Sequence, residues 1–117
     1  PPFPETQLAK TNSIPHPDNS IDKVFLILAA HEIRNIQEQI AFFLELNRIL
    51  KINGKIYVSE HLRDLPNFLA YNIGFFHFFS KKSWMHTFQK SNFTLNKEVK
   101  LTPFISTFII EKNGNTP

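Results

Sequence analysis

The spacing of apolar positions divides the chain into stretches of different kinds. Residues 1–22 show little apolar periodicity and hold Pro1, Pro2, Pro4, Pro15 and Pro17. Proline removes a backbone donor and restricts the residue before it, so an extended loop segment is expected there. Within it, Pro17-Asp18-Asn19-Ser20 is a turn sequence: proline presets φ, and the Asp and Asn side chains bond nearby backbone. Residues 23–30 then form an apolar run without alternation, the pattern of a strand buried on both faces of a parallel sheet. Asn35 is a good N-cap with Glu38 three positions on, and Ile36, Ile40, Phe43 and Leu44 recur at helical spacing. Phe42, Leu46 and Ile49 widen that face. Asn53-Gly54, tolerant of left-handed backbone, is expected to end the helix near Lys51. Residues 55–60 read as the next strand, which makes 23–60 a βαβ unit.

Beyond His61 the pattern is looser. Residues 62–66 read as a loop, and 67–79 are the most aromatic part of the chain, either a core-facing helix or an apolar lid. Ser80 caps a predicted helix over 81–91, with Trp84, Met85 and Phe88 on one side. Residues 93–101 partly alternate, and 104–111 supply a further strand, so an antiparallel pair turning at Thr102-Pro103 is expected. The fold class is therefore α/β, one domain over 1–117. Its parts are the loop segment 1–22, the βαβ unit 23–60, an aromatic-rich helical segment 61–91 and the strand pair 92–112.

Composition removes whole classes of chemistry. The 117 residues include no cysteine and only three glycines. Disulfides, cysteine-ligated metals and a cysteine nucleophile are excluded. Gly54, Gly74 and Gly114 are too far apart to share a phosphate-cradling loop, so no dinucleotide fingerprint or P-loop is present. The net charge of +3 comes from 13 basic and 10 acidic residues that are interspersed, not gathered into the basic stripe a nucleic-acid surface needs. The longest apolar stretch, 68–79, contains Asn72 and His77 and falls well short of the ~20 residues that span a bilayer. A cytoplasmic protein without stable membrane insertion is the expectation.

The chemistry-bearing residues gather where the two parallel strands end. One strand runs into Ala29-Ala30-His31-Glu32, the other into Ser59-Glu60-His61. In open α/β sheets the ligand lies outside the carboxyl ends of the strands. Both His/Glu pairs are therefore expected at one edge, where imidazole and carboxylate suit proton transfer or hydroxyl binding. The alternative for Glu60 and His61 is that they merely satisfy loop amides. His31-Glu32-Ile33-Arg34-Asn35 lacks the second histidine of a zinc-protease motif, and five histidines without ligand spacing predict no metal site.

The order of these features resembles a known family. Residues 14–22, Ile-Pro-His-Pro-Asp-Asn-Ser-Ile-Asp, are similar to the LPFPDNSFD segment of class I S-adenosylmethionine-dependent methyltransferases. Residues 42–55, with Arg48 and Gly54, resemble that family's L-x-E-x-x-R-V-L-K-P-G-G block, and Ser91-Asn92-Phe93 resembles its A-G-F. His16 stands where Phe is usual, Ile52-Asn53 where Pro-Gly is usual, and Lys10 where an Asp approaches adenine.

The resemblance implies the C-terminal half of a Rossmann-like methyltransferase sheet, parallel strands with a terminal antiparallel pair. The glycine-rich cofactor loop and the acid that binds the ribose are missing from this half. The start at Pro1-Pro2 agrees with a fragment. S-adenosylmethionine is the implied cofactor, with Thr11 and Asn12 near adenine and Leu28, Ala29, Ala30 and His31 at the strand end. His31 and His61 are the candidate bases, and Glu32, Glu60, Phe75 and His77 the candidate pocket for a small-molecule acceptor. The alternative is a non-catalytic α/β interaction module, or a split half of such an enzyme. An exposed sheet edge where strands are missing predicts self-association or pairing.

Overall fold

The computed structural model describes residues 11–62, 64, 66–67, 69 and 78–114. In chain order the elements are β1 (Ile21–Ile27), a single 3-10 turn (Ala30–Glu32), α1 (Ile36–Ile49), β2 (Leu50–Glu60), α2 (Lys81–Lys90), β3 (Phe93–Thr102) and β4 (Ile105–Lys112). The strands form one sheet in the order β1-β2-β4-β3. β1 and β2 are parallel, with Val24 beside Ile56 and Ile27 beside Ser59. β4 lies between β2 and β3, antiparallel to both. This is the expected α/β arrangement of a βαβ unit followed by an antiparallel pair.

The helices start where the sequence sets caps. The Asn35 side chain accepts the Glu38 N–H at 3.0 Å, and the Ser80 hydroxyl accepts the Ser83 N–H at 3.1 Å. Each satisfies an amide that helix geometry leaves without a partner. The buried stripe of α1 is Gln39, Phe43, Leu46 and Ile49. It is rotated from the expected face, and Leu44 is exposed. The Gln39 side chain accounts for the rotation: it donates to Ile33 O at 3.2 Å and accepts from the Thr87 hydroxyl at 2.6 Å. A polar residue whose amide is paired at both ends belongs inside as readily as an apolar one.

The expected turn at Asn53-Gly54 is absent. α1 stops at Ile49, Leu50 donates back to Leu46 O, and β2 begins at once. Gly54 lies inside β2 without positive φ. Its requirement is room: a Cβ there would stand 2.6 Å from Leu50 Cδ1 and 2.8 Å from Asp22 O. The residues before it bulge, since Ile21 pairs with Leu50 but Lys23 with Lys55.

Phe43 is the centre of the core. Its ring meets Phe88, Phe93 and Trp84 edge-on, with centroids 5.5, 6.4 and 6.5 Å away. The sheet contributes Ile56, Val58, Phe108 and Ile110 from the same face, and Val24 and Leu26 of β1 pack on that cluster. Burial of an aromatic side chain of this kind stabilises by about 1.5–3 kcal/mol. β1 departs from expectation, because only that one face is covered. Phe25 and Ile27, on the other face, are 60% and 67% exposed. An unalternating run predicts two covered faces, but here the described helices pack on a single side.

Candidate active site

β1 and β2 end at the same edge of the sheet, and the chain after β1 turns sharply. Leu28 has φ 53°, a left-handed conformation unusual for a residue with a side chain. Its N–H still bonds Ser59 O at 2.8 Å. The turn carries Ala30 and His31 back over the end of β2, where Glu60 is only 1% exposed. His31 N–H donates to Glu60 Oε2 at 3.3 Å, and His31 Nδ1 lies 2.8 Å from Glu60 Oε1. Burial pushes the Glu60 carboxyl above its ordinary value, while the His31 side chain and the N–H groups of His31 and Ala30 pull it down in part. Glu60 thus caps the 3-10 turn and orients the imidazole together.

With Nδ1 directed at Glu60, the ring's second nitrogen faces outward. Nε2 lies 3.4 Å from Glu32 Oε1, whose side chain is largely exposed. Arg34 flanks the site, donating from Nη1 to His31 O at 3.1 Å and standing over the Phe79 ring at 4.4 Å. Ala29 is exposed and Ala30 buried.

The neighbour contact of His31 with Glu32, at 3.4 Å, is joined by a shorter one across strands: His31 meets Glu60 at 2.8 Å because the strand register sets the end of β2 under the turn that follows β1. His61 points elsewhere: its Nδ1 lies 2.9 Å from Phe104 O and 3.2 Å from Asn67 Oδ1, and its ring stacks on Phe78 at 5.0 Å. Thr11 and Asn12 reach this end of α1, where the Thr11 hydroxyl donates to Glu38 Oε1 at 3.2 Å. Phe75 and His77 lie outside the described residues.

Other groups at this edge were not singled out from sequence. Asp64 accepts from the Asn67 N–H and side chain at 3.1 and 2.9 Å, and pairs with Lys100 at 3.1 Å. The D-x-x-N spacing, a capping pattern, was the available signal. The Ser59 and Thr107 hydroxyls pair at 2.8 Å in the buried sheet, which only register reveals.

At the opposite end, α1 holds the segment before β1. Arg48 donates to Ile14 O and His16 O at 2.9 Å, to Asp18 at 2.8 Å, and to both oxygens of Glu45. Glu45 in turn accepts Ile14 N–H at 2.7 Å. Two surface cavities of about 690 and 670 Å³ also lie at this end, lined by residues such as Asn19, Ile52 and Asn53, away from His31 and Glu60. Among the described residues no group of side chains could hold a metal ion, and no helix is long and apolar enough to cross a membrane.

A family model described as a methyltransferase domain matches residues 2–58, which include β1, α1, His31 and most of β2. No curated protein matches the sequence. Among solved structures, a SAM-dependent methyltransferase from Aquifex aeolicus is 18% identical, with a TM-score of 0.75, over 91% of this chain and 53% of its own. A type 11 methyltransferase, described as putative, from Sulfolobus solfataricus is 21% identical, with a TM-score of 0.71, over 94% and 59%. The 4+2 cyclase SpnF, 13% identical, reaches a TM-score of 0.71 over 92% and 55%. The chain spans about half the length of these structures. Its fold is a partial Rossmann-like methyltransferase fold, and fold alone leaves the reaction open. The domain match at residues 2–58, just under half of the chain, agrees with that fold, and the chain is similar to class I S-adenosylmethionine-dependent methyltransferases.

Proposed function

We propose that the chain forms the acceptor side of a methyltransferase acting on a small molecule, with His31 as base and Glu60 as its positioning residue. One observation carries this reading: the 2.8 Å contact of His31 Nδ1 with the buried carboxylate of Glu60. A histidine so held keeps its proton on Nδ1 and presents a lone pair at Nε2.

The chain's residues fit S-adenosylmethionine at the strand end. Ala29 is exposed and has no side chain beyond Cβ, and the left-handed Leu28 turns the backbone away beside it. Leu28, Ala29, Ala30 and His31 would hold the cofactor there, with Thr11 and Asn12 beside them. When bound, the cofactor supplies an electrophilic methyl group on a sulfonium sulfur. His31 Nε2 would take the proton that the acceptor's oxygen or nitrogen loses on receiving the methyl group, the methyl–sulfur bond being exchanged for the new one and the cofactor leaving as a neutral thioether. Glu60 then faces an imidazolium and stabilises it. General-base help of this kind contributes roughly 10²–10⁴-fold, on top of what alignment supplies. His61, with Nδ1 committed to Phe104 O, is the weaker candidate base. Glu32 stands at the mouth, placed to meet the acceptor.

The test is transfer of a labelled methyl group by the full-length protein that contains this chain. His31→Ala is expected to lower kcat by about 100-fold or more, with cofactor affinity little changed. Glu60→Gln should give a smaller loss and move the pH profile. Unchanged turnover in His31→Ala removes the base. Absence of any methyl transfer by the intact protein removes the enzymatic reading altogether.

A further inference from the structure

The candidate base stands between two side chains of opposite charge, and both follow it closely in sequence. Glu32 is its neighbour, with the carboxylate 3.4 Å from His31 Nε2. Arg34 lies between the 3-10 turn and the N-cap of α1. Its side chain folds back, so that Nη1 donates to His31 O at 3.1 Å while the guanidinium carbon stands 4.4 Å from the centre of the Phe79 ring. Phe79 is held in its turn, because the buried Trp84 meets it edge-on at 5.4 Å. The guanidinium therefore has a ring beneath it and a carbonyl at its edge. Cation–π stacking and the carbonyl bond both fix its plane before any ligand arrives.

An arginine held in this way suits one kind of ligand. Its fork is planar and permanently charged, and it matches the two oxygens of a carboxylate with parallel N–H bonds. Fixing the side chain beforehand lowers the entropy cost of binding. We propose that Arg34 binds a carboxylate of the acceptor, so that the acceptor is an anionic small molecule methylated on a separate hydroxyl or amino group. This rests on the reading of His31 as the base. A base serves a nucleophile that carries a proton, and a carboxylate at neutral pH carries none. The carboxylate is thus the handle, not the methylated group. Glu32 sets the direction: its charge beside Nε2 repels an anionic end and accepts a hydrogen bond from a hydroxyl or amino end. The two opposite charges turn the proton-bearing end of the acceptor toward His31.

The probes are benzoate and benzamide, alike in shape and different in charge. Each is titrated into the intact protein that contains this chain, with NMR of the Arg34 Nε–H and the His31 ring as the readout. Benzoate is expected to shift both signals and to bind roughly tenfold or more tighter than benzamide. Arg34→Gln should bring the two probes to equal affinity, and Arg34→Lys should restore part of the preference, since the charge returns without the fork. An arginine that only braces the turn would leave this discrimination unmoved. Binding needs no turnover, so His31→Ala should lose methyl transfer and keep the preference for benzoate. That separates failure of the base from failure of the carboxylate site. Benzamide binding as tightly as benzoate overturns the proposal. So does a preference that survives Arg34→Gln, or a failure of benzoate to shift the Arg34 signal.

Discussion

Two acid–base pairs stand at opposite ends of the βαβ unit, and they use the same chemistry to different ends. At the lower end, Glu45 and Arg48 are saturated. Both carboxylate oxygens and several guanidinium nitrogens are paired with each other, with Asp18 or with loop backbone. At the upper end, Glu60 is buried and takes one ring nitrogen of His31, while the other faces the exposed Glu32 carboxylate at 3.4 Å. The first arrangement locks a loop. The second fixes a ring and leaves one nitrogen facing outward, which is what proton transfer needs. Chemical type does not separate a pair that locks a loop from one that leaves a ring nitrogen near the surface; the burial and partners of each atom do.

The strongest way to break this comparison is to remove Glu60. Glu60→Ala deletes the acceptor for two buried N–H groups and for His31 Nδ1 together. Leaving buried donors unmet should cost about 2–3 kcal/mol in chemical denaturation. Glu60→Gln keeps an acceptor for the turn and should recover part of the loss. If Glu60→Ala is as stable as the parent, the carboxylate does not hold the turn, and the reading of a fixed imidazole fails with it.

A second test sharpens the contrast through pH. The Arg48 side chain and the Ile14 N–H hold the Glu45 carboxyl down from 4.5 to about 2. Its contribution to stability is therefore present above the unfolded value of 4.5 and is lost as pH falls toward about 2. Burial raises Glu60, so the sign reverses: the folded state holds that proton more tightly, and the contribution declines as pH climbs from the unfolded value through the folded one. Carbon-13 titration of the two carboxyls should place their midpoints on opposite sides of 4.5. Glu45→Gln should remove Glu45's share of the acid-side loss, leaving that of Asp64 and Glu111, and should leave the Glu60 midpoint in place. Coincident midpoints would mean the two ends are electrostatically alike.

Much of the fold was legible because local signals agreed with each other. Asn35 and Ser80 are caps in sequence and in structure, and the unbroken run before Ala30 is a strand. What escaped was whatever depends on contacts distant in sequence. An apolar run reads the same whether one face or two are covered, so the exposure of Phe25 and Ile27 was invisible. Gln39 inside α1 makes sense only once Thr87 is opposite it. The site itself was half legible. Strand ends pointed to His31 and Glu60 as members of separate neighbour pairs, but register decides that they form one pair and that His61 turns to Phe104 O. Glu45, a partner of Arg48 inside the recognised block, drew no notice because three residues of separation on a helix looks like ordinary surface pairing.

The smallest expected effect probes what anchors the lower clamp. Arg48 meets Asp18 at 2.8 Å, a distance that suggests a strong ion pair, yet the Asp18 side chain is 71% exposed. Exposed pairs of this kind are screened by water and cost side-chain entropy, so they add little. The carbonyls of Ile14 and His16 are a different matter, because their orientation is fixed by the chain that Arg48 holds. Asp18→Asn keeps a side-chain acceptor and removes only the charge. It should shift the urea midpoint by less than about 0.2 M. Arg48→Lys should do far more, since an ammonium group cannot reproduce the fork that reaches Glu45 and two carbonyls together. Amide exchange at Asn19, which donates to Arg48 O at 2.9 Å, should quicken in Arg48→Lys and stay at the parent rate in Asp18→Asn. If Asp18→Asn proves the more damaging of the two, the clamp depends on charge, and the lower end of the unit is closer in kind to the upper one.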